Sequence, residues 1–252
     1  MLRIENLCKA FGGVSAMNGV SLHFREGSLT AVIGPNGAGK TTLFNLITGA
    51  FRPDSGQVLL AGENIAGLSA PAIVQRGIGR AFQIASIFPT LTVREAILGA
   101  VHAHRHRHVR LGHHFPLAET ESHADDVMDL VKLTSRAHTL SGNLSHGDQK
   151  LLDIALALAL EPRVLLLDEP TAGMGPEERW QMIETVHELW ERRKMTLVFI
   201  EHDMDIVFKY AQTIHVLSYG TVLAEGTPDE VRSHPKVIEA YLGSRFDEAR
   251  KQ

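Results

Sequence analysis

The sequence holds a single cysteine, Cys8, in 252 residues. No intramolecular disulfide can form, which fits a reducing compartment, and Cys8 reads as a small, buried apolar residue of the first strand. Strong charge of either sign is also absent. Lys and Arg number 25 against 29 Asp and Glu, for a net charge of −4. A nucleic-acid-binding domain usually carries a strongly basic balance or stripe, and this net charge gives no global reason to expect a nucleic-acid partner. Long apolar runs are missing too. The most apolar helix-like stretch, Leu151–Leu160, contains Asp153. It has half of the roughly 20 residues that span a bilayer and reads as a core helix. Met1–Leu7 alternates charged and apolar residues, so no signal peptide is expected. There is no internal repeat and no heptad run. What remains is a chain with 44% apolar residues, enough for a sizeable core in one large α/β domain. Such a chain is expected to be soluble and to act on a membrane only from outside the bilayer.

Short apolar or alternating runs at Met1–Leu7, Val20–Phe24, Leu29–Ile33 and Gln57–Ala61 predict strands. Lys40–Thr48 and Ala70–Arg76 predict helices, with a further strand near Gly79–Phe82. From Ile84 to Leu144 the pattern is helical without a convincing strand. Strand and helix then alternate: Val164–Asp168, Pro176–Arg193, Leu197–Glu201, a helix from Asp203, and a hairpin of Ile214–Ser218 and Thr221–Ala224 around Tyr219-Gly220. Met182, Ile183, Val186, Leu189 and Trp190 place one apolar stripe on the Pro176–Arg193 helix. Two short helices close the chain. Continuous apolar strands alternating with helices imply a sheet with a parallel centre, covered on both faces.

Between the Leu29–Ile33 strand and the Lys40–Thr48 helix lies Gly34-Pro35-Asn36-Gly37-Ala38-Gly39-Lys40-Thr41, followed by Thr42. This is G-x-x-x-x-G-K-[ST] in the strand–loop–helix context that gives the pattern its meaning. Glycines let successive N–H groups turn towards phosphate, and the helix N-terminus adds favourable field. Lys40 supplies charge to the β- and γ-phosphates, and Thr41 offers a hydroxyl to Mg²⁺. A second element, Val164-Leu-Leu-Leu-Asp168-Glu169, delivers two carboxylates at the end of a buried strand, where an α/β sheet binds ligands. Asp168 suits Mg²⁺, largely through water. Glu169 suits a base that orients the attacking water.

These two elements alone fit many nucleotide hydrolases and small-molecule kinases. Further residues narrow the choice. Leu144-Ser145-His146-Gly147-Asp148-Gln149 precedes the apolar helix and resembles the L-S-G-G-Q signature of ATP-binding cassette (ABC) ATPases. Gln83 in Arg80-Ala-Phe-Gln resembles their Q-loop, His202 in Glu201-His-Asp-Met their switch histidine, and Phe11 before Gly12-Gly13 the aromatic that stacks on adenine. The resemblance runs from about Leu2 to Gly243. It implies an α/β P-loop core with a mixed, largely parallel central sheet, an antiparallel β subdomain and an inserted α-helical subdomain. Residues 1–243 would then form one ATPase domain, with 84–160 helical and carrying the signature, and 244–252 a tail.

The resemblance further implies a head-to-tail pair of such subunits, either of this chain with itself or with a homologous partner. Each ATP, with Mg²⁺, lies between the phosphate loop of one subunit and Ser145 and Gly147 of the other. Gln83 touches Mg²⁺ or the lytic water, and His202 holds the γ-phosphate side. Two departures stand out. His146 and Asp148 replace a glycine and a glutamine of the signature, and Asp148 puts a carboxylate near polyphosphate, which weakens ATP-driven pairing. Ala172-Gly-Met-Gly175 lacks the aspartate of the usual S-A-L-D loop, which bears on communication between the two ATP sites.

Arg80-Ala-Phe-Gln83, Pro170-Thr-Ala-Gly-Met174, Glu201-His-Asp-Met204 and Ala240-Tyr-Leu-Gly243 look like the branched-chain amino acid uptake subunits and their urea and amide relatives. That resemblance implies integral-membrane permease partners, a solute-binding protein acting through them, and a peripheral place on the cytoplasmic face of the membrane. An export ATPase, or an ABC protein that does not transport, is the alternative. His102–His114 holds six histidines with Arg105, Arg107 and Arg110 among them. Imidazoles suit Zn²⁺ or Ni²⁺, but the arginines repel a cation, so a solvated or lipid-facing loop is the expectation.

Overall fold

The computed structural model describes residues 1–83, 85, 87–105 and 118–240. Most of the histidine run and the 244–252 tail lie outside these residues. The chain divides into two compact units: residues 1–78 with 194–252, and residues 79–193.

The first unit opens with a hairpin of β1 (Leu2–Phe11) and β2 (Val14–Phe24). With β4 (Ser55–Leu60) and β5 (Glu63–Asn64) it forms an antiparallel sheet in the order β2-β1-β4-β5. β1 runs four residues past the apolar alternation that predicts it. Cys8–Phe11 is held by hairpin pairing to β2, which ends at the Phe11–Val14 pair around Gly12-Gly13. Cys8 is half-buried on this extension and not buried as expected, its Sγ accepting from the backbone N–H of Gly19. Both glycines have positive φ, which side chains disfavour. β3 (Leu29–Ile33) is buried at all five positions and pairs in parallel with β8 (Thr196–Ile200) and β9 (Thr213–Ser218). A strand covered on both faces reads as a continuous apolar run, as this one does. β10 (Thr221–Gly226) returns antiparallel to β9. α1 (Lys40–Ile47) leaves the loop after β3, α2 (Ala70–Gln75) follows β5, and α7 (Met204–Tyr210) follows β8. Asp203 caps α7 by accepting from the N–H groups of Asp205 and Ile206. α8 (Pro228–Ser233) starts in a capping box between Thr227 and Glu230.

The second unit contains the neighbouring strands β6 (Ile78–Ala81) and β7 (Val164–Asp168). The helices expected between 84 and 160 are α3 (Val93–Arg105), α4 (Ala118–Leu130) and α5 (His146–Leu158), with two 3-10 turns at Thr134–Arg136 and Ser141–Asn143. α3, α4 and α5 pack on one another. α6 (Pro176–Arg193) buries Met182, Ile183, Val186 and Leu189, four of the five residues in its predicted stripe. Among the described residues no helix is long and apolar enough to cross a membrane.

Candidate nucleotide site

In the first unit, β3 ends and the chain turns sharply at Gly34. A Cβ there would sit 2.2 Å from the backbone carbonyl oxygen of Leu217. At Gly39 (φ 102) it would meet Met17 Cε at 2.4 Å and the Ala16 carbonyl at 2.7 Å. The loop is thus glycine because backbone crowds it at both ends. It folds around its own lysine: Lys40 Nζ donates to the carbonyls of Gly34 (2.8 Å) and Pro35 (3.2 Å). Gly220 N donates to the Ala38 carbonyl and Asn18 N to the Gly220 carbonyl, so β2 and the β9–β10 turn brace the loop.

Gly39 is the N-cap of α1 and offers no side-chain cap, and the first i→i−4 bond is Leu43 N to Gly39 O. The amides of Thr41 and Thr42, ahead of that bond, are therefore available to an anion. Thr41 is exposed and Thr42 half-buried.

Phe11 is exposed at the hairpin tip, its ring edge-on to Phe51 at 5.1 Å. Asp54 fixes the strand just before it, accepting from Lys9 Nζ (2.8 Å) and Ala10 N (2.7 Å). Those two bonds, the Lys9 one above all, hold the Asp54 carboxyl below its ordinary value. His202 is exposed, at the end of β8 and just before the cap of α7. Its N–H donates to the carboxylate of Glu201.

The second unit carries the carboxylates. Asp168 ends β7 with 2% exposure, and Arg80 of β6 donates to its Oδ2 at 2.6 Å. Among the described residues Oδ1 of Asp168 is buried and accepts no hydrogen bond. A buried carboxylate oxygen left open in this way suits a hard cation or its water. Glu169 follows at φ 50, a left-handed conformation that is strained for a residue other than glycine. Its Oε2 accepts from Gln83 Nε2 at 2.8 Å. The structure therefore brings Gln83 to Glu169. The positive φ of Glu169 has no signal in the sequence.

Ser145 is the N-cap of α5, its Oγ accepting from Asp148 N at 3.1 Å. Its own O–H remains a donor. Ser145, Gly147 and Asp148 line a groove of about 340 Å³ with Met174, Glu178 and Thr185. Its two departures from the ABC pattern meet in space. A Cβ on Gly173 would lie 3.2 Å from the His146 ring, so the imidazole packs on the glycine-rich turn after β7. Asp148, half-buried, faces exposed Arg136 at 3.8 Å. Of the histidine run, His102 and His104 lie on α3; the rest falls outside the described residues. Among the described residues no group of three or more His, Cys, Asp and Glu is placed to hold a metal ion.

The ABC transporter family model matches residues 17–172, an extent that takes in the phosphate loop, Gln83, the signature and both carboxylates. The chain belongs to the ABC transporter family. It is an ATPase of that family, built on the α/β nucleotide-hydrolase fold. A second model, branched-chain amino acid ATP-binding cassette transporter, matches residues 221–247. The chain is 39% identical to the high-affinity branched-chain amino acid transport ATP-binding protein LivG of Salmonella typhimurium, covering 96% of this chain and 98% of that one. It is equally similar, at 39%, to BraF of Pseudomonas aeruginosa over 96% and 98% of the two chains. Among solved structures, the ADP conformation of MJ1267, an ATP-binding cassette of an ABC transporter, superposes with a TM-score of 0.84. It is 33% identical and covers 96% of this ABC chain and 98% of its own.

Proposed function

We propose that this ATPase energises uptake of branched-chain amino acids or related small polar solutes. It would do so from the cytoplasmic face of the membrane, bound to integral-membrane permease subunits that a solute-binding protein supplies. The observation that carries the enzymatic part is the Gln83–Glu169 contact at the end of a buried strand, with Glu169 held at positive φ. A carboxylate oriented in this way acts as general base on water, and its amide partner fixes the lone pair used. Residues 1–243 act as one ATPase domain.

The chain's own groups divide the work. Amides of Gly37, Ala38 and Gly39, together with Asn36, wrap the β-phosphate, while Lys40 balances the charge that develops on the γ-phosphoryl group. Phe11 stacks on adenine. Thr41 and Asp168 are the residues that would hold Mg²⁺, and the ion would supply charge neutralisation at the phosphates. His202 stabilises the γ-phosphate side. Ser145 and the N–H of Gly147 close on the nucleotide of the other subunit in a head-to-tail pair. The permease would meet the apolar face formed by Phe88, Leu91 and Leu140, all exposed, where the 88–92 and 140–142 segments pair. Exposed apolar side chains grouped in this way mark interaction surfaces.

The test is Glu169→Gln. ATP should still bind while hydrolysis falls by about 10²–10⁴-fold, the usual effect of losing a general base. An ATP-dependent dimer should accumulate, seen by size-exclusion chromatography with light scattering, and adding Ser145→Arg should abolish it. Wild-type hydrolysis by Glu169→Gln in the assembled transporter sinks the mechanism.

A further inference from the structure

Two buried charges in the second unit have no part in the chemistry proposed above, yet they hold one of its residues by the backbone. Lys150 and Asp153 lie three residues apart on α5 and so share one helix face. They are 2% and 4% exposed. Lys150 Nζ donates to the carbonyl of Phe82 at 3.2 Å and to that of Gln83. Asp153 Oδ2 accepts from the Phe82 N–H at 2.7 Å. A cation and an anion from one helix thus grip both polar groups of a single peptide segment. Burying either charge is costly unless it is paired and hydrogen-bonded, so these partners are part of the reason the charges are tolerated.

What they grip is the residue before Gln83 and Gln83 itself. Gln83 then reaches Glu169 Oε2 at 2.8 Å. The same helix begins at Ser145, five residues before Lys150. We propose that Lys150 and Asp153 are positioning residues for ATP hydrolysis. They clamp the Phe82–Gln83 backbone to the signature helix and so set the reach of the Gln83 amide to Glu169. The clamp also makes any shift of the α5 N-terminus a shift of Gln83. That offers a route between signature and base in a chain whose Ala172–Gly175 turn has no aspartate. This inference rests on the roles proposed above for Gln83 and Glu169.

The test is a double-mutant cycle on MgATP turnover by the transporter reconstituted with its permease. Lys150→Met keeps the stem and removes the donors. It should lower kcat by about 10-fold or more, the scale of a small misplacement of a catalytic group, with KM within about twofold because the phosphate loop is untouched. In a Gln83→Ala background the same substitution should cost less than about twofold, since the clamp acts through Gln83. Lys150→Arg, which keeps charge and donors, should recover most of the rate. Amide exchange at Phe82 should quicken in Lys150→Met while that of β7 stays slow. An equal loss in both backgrounds overturns the clamp and leaves the Gln83 reading standing. A Gln83→Ala protein as fast as the unaltered one removes that reading, and the clamp with it. If Lys150→Met does not fold, Asp153→Asn enters the same cycle with the same outcomes.

Discussion

The two units handle their functional residues by different means. The phosphate loop of the first unit is set by backbone. Gly34 and Gly39 have no room for a Cβ, and Lys40 is held by the carbonyls of Gly34 and Pro35. In the second unit side chains do the placing: Arg80 on Asp168, Gln83 on Glu169, and Lys150 and Asp153 on the Phe82–Gln83 backbone. Backbone cradles are rigid and indifferent to what the neighbouring side chains do, which suits binding a constant triphosphate. Side-chain networks can exchange partners at little cost in fold stability, which suits a part that responds to a permease in the function proposed above. The difference gives the first unit a preformed binding role and the second an adjustable one.

That contrast breaks most decisively at Gly34. In Gly34→Ala the new Cβ meets the Leu217 carbonyl, and backbone on both sides has to move. Loss of even two aligned N–H contacts to phosphate, at about 1.5–3 kcal/mol each, predicts at least about a 100-fold weaker MgATP complex by calorimetric titration. The melting temperature should fall as well, since overpacking costs about 1–3 kcal/mol. Lys40→Ala should lose binding just as fully with a smaller change in melting. Near-normal affinity in Gly34→Ala means the cradle is not rigid, and the contrast between the units disappears.

Asp148 sharpens the other side of the comparison. Half-buried, it faces exposed Arg136 at 3.8 Å, and pairs open to solvent on one side are worth about 0–1 kcal/mol. Asp148→Gln should therefore move the melt by no more than about 4 °C. It removes a carboxylate from the groove shared with Ser145 and Gly147. ATP-dependent pairing of the Glu169→Gln protein should tighten by about 3- to 10-fold, the scale of one charge interaction of about 1 kcal/mol screened by water. Sedimentation across a concentration series reads it. Unchanged or weaker pairing would show that Asp148 does not oppose the phosphate.

How much of this the sequence discloses follows from the same distinction. The phosphate loop is legible because its chemistry is local: glycines, Lys40 and Thr41 sit within eight residues between a strand and a helix. The buried β3 and β7 are legible from their apolar runs. Gln83, Ser145 and His202 become candidates only through resemblance to the ABC family, because a lone Gln, Ser or His carries no spacing signal. The rest depends on distance along the chain. Lys150 meets Phe82 across 68 residues, and His146 packs on Gly173 across a turn of structure that no periodicity encodes. Cys8–Phe11 escapes the strand pattern because hairpin pairing, and not burial, makes it a strand.

The smallest effect expected belongs to a residue outside the chemistry. His215 lies on β9, beside Val32 of the strand that feeds the phosphate loop, and is 0% exposed. Its ring is edge-on to Phe24 of β2 at 5.1 Å, and Nδ1 is 3.4 Å from the Glu225 carboxylate on β10. Burial lowers its pKa from the ordinary 6.5, overcoming the opposite pull of Glu225, and His23 on β2 adds a like charge. His23 is lowered as well, chiefly by desolvation. The sign follows from which state takes up the proton first. Above pH 6.5 both folded and unfolded histidines are neutral and the stabilising contribution is complete. As pH falls below 6.5 the unfolded chain binds a proton that folded His215 refuses, and stability drops until the lowered folded value is passed. Each kcal/mol so lost moves the melting temperature by about 2–4 °C at this chain length. Calorimetry at pH 7.5 and 5.5 should show a decline for the unaltered protein and a shallower one for His215→Leu. The phosphate contacts proposed for the loop around Gly34 and Lys40 do not involve His215, so MgATP affinity in the folded protein should not follow that slope. Equal slopes in the two proteins would remove His215 as the source of the acid sensitivity, and a parallel fall in affinity would show that the first unit's cradle is less rigid than its backbone contacts imply.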